Sequence, residues 1–237
     1  EIIDTELQLK DLDSIEKKFQ KTERAAKTGD AKAKVEVEVL SKCIKHLESG
    51  KNLRQLDLST DEIESIADLC LLTLKPVLYV ANVDEQSLHT GNAFSSALIE
   101  NVKLENSAVI VMNNTIEAQI SEMDNADDKQ MFLEEYKLTE PALNRLIRSA
   151  YGLLNLITYF TAGVQEVRAW TIHVGWKAPQ AASVIHTDFE KGFIKAEVIA
   201  YDDFISLGSE AACKEAGKLR IEGKEYIVKD GDIMHFR

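Results

Sequence analysis

Two short polar segments stand where a ligand could be read. Asn82-Val83-Asp84-Glu85 follows the apolar run 77–81, and Asn113-Asn114-Thr115 follows a second such run, 108–112. An Asn just past a buried strand presents an amide donor and a carbonyl acceptor, which is what the edge of a purine requires. In open parallel sheets ligands bind at the carboxyl ends of the strands, where both segments are expected. Loops that read guanine carry Asn-Lys-x-Asp, the carboxylate accepting two hydrogen bonds from the base. Here Val83 stands in place of Lys and Glu85 in place of Asp. The longer Glu side chain displaces that carboxylate, so guanine selectivity is expected to weaken while Asn82 can still accept from an adenine amino group. As four residues alone, the segment serves equally well as a turn, because a strand-terminal Asn is a common turn former.

Phosphate chemistry needs a different signature. A phosphate cradle takes the form G-x-x-x-x-G-K-[ST], whose backbone N–H groups and Lys meet the phosphates while a hydroxyl meets Mg²⁺. No such string occurs in the chain: Gly50-Lys51, Gly217-Lys218 and Gly223-Lys224 lack both the following Ser or Thr and the earlier Gly. His46, His89, His173, His186 and His235 show no HExxH or paired metal-ligand spacing. His186-Thr187-Asp188 has no nucleophile to complete it, and Trp170 and Trp176 read as core or hairpin residues. We therefore expect no catalytic residue and no metal ligand in this chain.

The elements that must hold these loops follow from periodicity. Residues 5–27 and 31–48 have helical apolar spacing and meet at Thr28-Gly29-Asp30, which predicts an antiparallel helical hairpin. Ser59 and Glu62 have the spacing of a capping box ahead of a short helix. The run 77–81 suits a strand buried on both faces of a parallel sheet, and a helix around 94–102 supplies the crossover to 108–112. Helices are expected over 126–136 and 141–155. Beyond Leu156 short β-rich pieces, 167–174, 193–201 and 226–228, flank a helix at 179–187, in the manner of a small α+β domain.

Hydrophobic residues make up 45% of 237, enough for real cores, and the net charge of -12 argues against general attraction to a phosphate backbone. Neither a membrane-length apolar run nor a leader pattern is present in the sequence. Cys43, Cys70 and Cys213 lie far apart and form no CxxC pair, so they are expected to be buried reduced thiols. The first residue is Glu1, and apolar residues take helical spacing from Ile2 onward, so the chain is expected to begin inside a structure.

Three longer stretches resemble one family. They are 72–85 (LTLKPVLYVANVDE), 159–170 (YFTAGVQEVRAW) and 184–194 (VIHTDFEKGFI), and the similarity runs from about Thr5 to Arg237. All three are similar to the YchF, or Obg-like ATPase, family, relatives of the Obg GTPases. The resemblance implies an α/β plus α+β architecture: part of a P-loop parallel sheet (59–154), an inserted helical hairpin (1–58) and a C-terminal TGS domain of β-grasp type (155–237). It implies a cytoplasmic, ribosome-associated protein that binds and slowly hydrolyses ATP, with ribosome or RNA contacts through the hairpin and TGS surfaces, no membrane and no DNA sequence readout. On that mapping Asn82, Val83 and Glu85 form one base loop and Asn113, Asn114 and Thr115 the other. The family commonly has Ser or Cys, then Ala, at the first two of the latter positions; the two asparagines depart from this, so backbone N–H contacts are what should carry over. Mg²⁺ ligands, the phosphate loop and the switch regions are expected upstream of Glu1, leaving this polypeptide inactive by itself. The alternative is a non-enzymatic adaptor that uses the hairpin and TGS surfaces to bind RNA, the ribosome or a protein.

Overall fold

The computed structural model describes residues 2–105, 107–163 and 166–237. They divide into two compact units, one ending at Glu122 and the other spanning Met123–Arg237.

The first unit opens with two helices, α1 (Ile2–Lys27) and α2 (Ala31–Glu48), that reverse at Gly29 with φ +102, a conformation only glycine adopts freely. Asp30 caps α2, its carboxylate accepting the N–H groups of Lys32 at 2.9 Å and Ala33 at 3.2 Å. The helices share an apolar seam of Ile15, Val39, Leu40, Cys43 and Leu47, closed by Leu53, Ile66 and Leu71 from the chain that follows. Asp11, buried on α1, fastens that returning chain by accepting the N–H groups of Leu72 (2.8 Å) and Thr73 (2.7 Å) and the Thr73 hydroxyl (2.7 Å). Ser59 and Glu62 form the expected capping box at the start of α3 (Thr60–Ser65). Cys70 departs from expectation: it is exposed, at a left-handed turn with φ +49, whereas Cys43 and Cys213 are buried.

Next come β1 (Leu78–Asn82), α4 (Ala93–Val102), β2 (Ala108–Met112) and α5 (Asn114–Glu122). The strands are parallel and in register from Leu78 opposite Ala108 to Asn82 opposite Met112. A parallel pair needs a crossover, and α4 provides it. The expectation that β1 is buried on both faces fails, since Val80 is 43% exposed. Among the described residues no third strand pairs with β1 or β2, so a strand with the composition of a sheet interior is only half covered.

In the second unit α6 (Ala126–Glu135) and α7 (Ala142–Leu153) precede β3 (Leu156–Ala162), β4 (Val167–His173), α8 (Ala178–Ser183), α9 (Thr187–Gly192), β5 (Ala196–Ile199), α10 (Tyr201–Leu207), α11 (Glu210–Glu215), β6 (Arg220–Glu222) and β7 (Ile233–Phe236). The strands form one mixed sheet in the order β4-β3-β7-β5-β6, with only β3 and β7 parallel. Its core gathers Tyr159, Ile172, Ala181, Phe193, Val198 and Met234, with Trp170 and Trp176 packed against it as expected of structural tryptophans. The helix expected over 179–187 stops at Ser183, and His186 starts a new one by accepting the Asp188 N–H at Nδ1, 3.2 Å. Residues 226–228 make no strand; Ile227 forms a single bridge to Lys177.

Candidate functional site

The two polar loops meet at the carboxyl ends of β1 and β2. The ladder runs one residue past the strands, the Val83 N–H donating to the Met112 carbonyl at 2.9 Å. Asn113 is turned inward and buried. Its Nδ2 donates to the Val83 carbonyl at 2.6 Å, and its Oδ1 accepts the Ile116 N–H at 2.9 Å, so one amide clamps the neighbouring loop and caps α5. Asn82 reaches the other way: its Oδ1 accepts the Asn114 N–H at 3.0 Å. Asp84 accepts the Ser87 N–H at 2.9 Å and caps the short turn Glu85–Ser87; bonds from Ser87, side chain first and then backbone, hold its carboxyl below the ordinary range.

This lacing redefines what each residue can offer. A backbone N–H can only donate, so the Asn82 atom facing Asn114 is the carbonyl oxygen, and the amide nitrogen is kept as a donor. The Asn114 N–H is thereby bonded to Asn82. Val83 is buried and Glu85 is exposed at the lip, together with Asn114 and Thr115.

A polar network that local sequence did not disclose lies at the opposite, amino end of the strand pair. Arg54 Nε donates to Glu105 at 2.8 Å, and Arg54 Nη2 lies 3.4 Å from the Tyr79 hydroxyl and 3.5 Å from Asp4. Tyr79 donates to Glu105 at 3.2 Å. Burial is the largest influence on Arg54 and opposes its charge, but the Glu105 hydrogen bond and the charges of Glu105, Tyr79 and Asp4 together outweigh it and the guanidinium pKa rises; burial and then the Glu105 charge raise that of Tyr79. These partners stand 25 to 51 positions apart in sequence, so no spacing rule could pair them.

Among the described residues no group of three or more His, Cys, Asp or Glu side chains is placed to hold a metal ion. No helix is long and apolar enough to cross a membrane. The second unit carries a broad open cleft of about 1210 Å³ between α7 and the outer face of β3, with Tyr151, Phe160 and Tyr201 among its walls.

Paired polar loops at the carboxyl ends of parallel strands are the arrangement of α/β nucleotide-binding proteins. Residues 156–237 match the family model YchF-GTPase_C, described as a protein of unknown function (DUF933). The chain is 52% identical over 235 residues to the ribosome-binding ATPase YchF of Pasteurella multocida, covering 99% of this chain and 64% of that protein. It is 47% identical over 239 residues to the protein of the same name in Bacillus subtilis, covering 100% of this chain and 65% of that one. The structure of the Schizosaccharomyces pombe YchF GTPase superposes with a TM-score of 0.86 at 34% identity, over 100% of this chain and 64% of that chain. The chain is therefore strongly homologous over its whole length to YchF proteins, and spans a little under two thirds of the length of these relatives.

Proposed function

We propose that this chain is the base-reading and partner-facing part of a ribosome-associated, ATP-hydrolysing protein. The observation that carries the reading is the cross-linked pair of loops at the ends of β1 and β2, in a chain homologous over its whole length to proteins named ribosome-binding ATPase. Asn82 donates to a ring nitrogen of the purine, Val83 packs beneath it, Glu85 sets the base preference, and Asn113, Asn114 and Thr115 form the second wall. The phosphates and Mg²⁺ require a G-x-x-x-x-G-K-[ST] loop that this sequence does not contain, so hydrolysis belongs to a polypeptide that has one. In this reading residues 59–154 are part of a P-loop sheet, residues 1–58 an inserted hairpin, and residues 155–237 a TGS domain of β-grasp type, the last two facing the ribosome.

Competition between ATP and GTP for a YchF-type protein that has a phosphate loop and these base loops tests the assignment. The unaltered protein should prefer ATP, and Glu85→Asp should shift the ratio toward GTP by about tenfold, the value of one well-placed charged hydrogen bond. A preference for GTP before substitution refutes the role given to Glu85.

A further inference from the structure

The strand pair is bracketed by side chains at both ends. At the carboxyl end, Asn82 and Asn113 cross-link the loops. At the amino end, Tyr79 on β1 and Glu105, just ahead of β2, are joined directly, and Arg54 holds both. The segment bearing Arg54 is also the exit of the hairpin. Leu53 lies in the α1–α2 core, and Asn52 Nδ2 donates to Asp4 on α1 at 3.2 Å and to Glu105 at 3.3 Å. The Arg54 and Glu105 side chains are only 7% and 11% exposed. Neither can leave without stranding the other's charge away from water, so the joint resists sliding.

We infer that Arg54, Tyr79 and Glu105 are positioning residues for the base loops. They set the axial offset of β1 against β2 and tie that offset to the base of the helical hairpin. Tyr79 and Asn82 are three residues apart on one strand, about 10 Å, with no flexible segment between them. Hydrogen bonds weaken steeply once stretched or bent, so a small slip of one strand along the other would open the Asn82–Asn114 and Asn113–Val83 contacts together. The functional meaning rests on reading these loops as a base site; the positioning itself is measurable without nucleotide.

The test is amide hydrogen exchange on the 237-residue chain, nucleotide-free, followed at Val83 and Asn114. Glu105→Gln keeps the shape but removes the charge that holds Arg54, and Tyr79→Phe removes one hydroxyl. Ser59→Ala, which removes the cap of α3 in the same unit without touching the strands or the Arg54 segment, serves as the control for general loss of stability. Exchange at Val83 and Asn114 should quicken about tenfold in Glu105→Gln and by less in Tyr79→Phe, with no comparable change in the control. Equal quickening in all three variants, or none in Glu105→Gln, overturns the inference. Should Glu105→Gln fail to fold, Tyr79→Phe against the control decides. Nucleotide is absent from the readout, so failure of the base-site reading would leave this result standing, and the converse holds too.

Discussion

Asn113 is the residue on which the geometry of the candidate site turns. Its side chain does two jobs at once, capping α5 and clamping the carbonyl of Val83, and it does them from a buried position. Asn113→Ala removes the cap and leaves a carbonyl without its partner, and should cost about 2–3 kcal/mol in chemical denaturation of the first unit. Asn113→Ser keeps a capping oxygen but cannot reach across, so it should recover roughly the capping part, about 1 kcal/mol. If Asn113→Ser is as stable as the unaltered protein, the cross-loop clamp contributes nothing. Two adjacent asparagines after a strand announce a turn, and that much is legible in sequence. That one turns inward and the other gives its N–H to a residue 32 positions earlier is not, because both outcomes depend on the neighbouring strand.

Elements were legible in proportion to how local their causes are. The boundary of α3 is set by Ser59 and Glu62, three residues apart, and both halves of that capping box are formed. Glu62 also pairs with Lys42 on α2, a contact no local pattern foretells. Ser59→Ala should therefore lower stability by about 1 kcal/mol, measured by urea denaturation, and loosen α3 before the hairpin. A loss confined to the noise would mean that the Lys42 pair, not the cap, holds this helix. The hairpin was equally readable, since its apolar spacing and Gly29 act over a few residues. Strands were harder. Residues 226–228 have β-forming composition, yet Tyr226 and Val228 turn into the core and only Ile227 bridges to Lys177, because a strand exists only where a partner edge is free. Conversely β6 is three residues long and has no periodicity to detect; pairing with β5 creates it.

At the scale of the whole molecule, two consequences separate what this chain holds from what it lacks. Charge-assisted phosphate contacts supply much of nucleotide affinity, and no phosphate-loop string is present. Calorimetric titration of residues 1–237 with ATP should show no saturable binding in the micromolar range, and micromolar affinity would refute the division of labour proposed above. The second concerns pH. Burial, then the hydrogen bond to Asp232, pushes the Tyr226 phenol up to about 12. A tyrosine in the unfolded chain ionises near pH 10, so the folded state favours the neutral phenol. That stability is present in full below about pH 10 and is lost as the pH rises toward 12. Circular dichroism should show the second unit loosening across this interval, and Tyr226→Phe, which cannot ionise, should flatten the loss; an unchanged alkaline profile would remove Tyr226 from the account.

The sequence by itself determined the helical hairpin, the parallel strand–helix–strand order, the loops at the strand ends, the family resemblance and the want of a phosphate-loop string, because each rests on spacing or on an uninterrupted stretch of residues. Only the tertiary structure decided that Asn82 presents its amide nitrogen and keeps its oxygen for Asn114, that Cys70 is exposed, that Val80 is half uncovered, and that Arg54, Tyr79 and Glu105 meet behind the loops. The physical reason is the same for all four. Which way an amide points, what a strand is covered by and whom a buried charge pairs with are set by groups brought close in space from distant parts of the chain, and no local pattern encodes that distance.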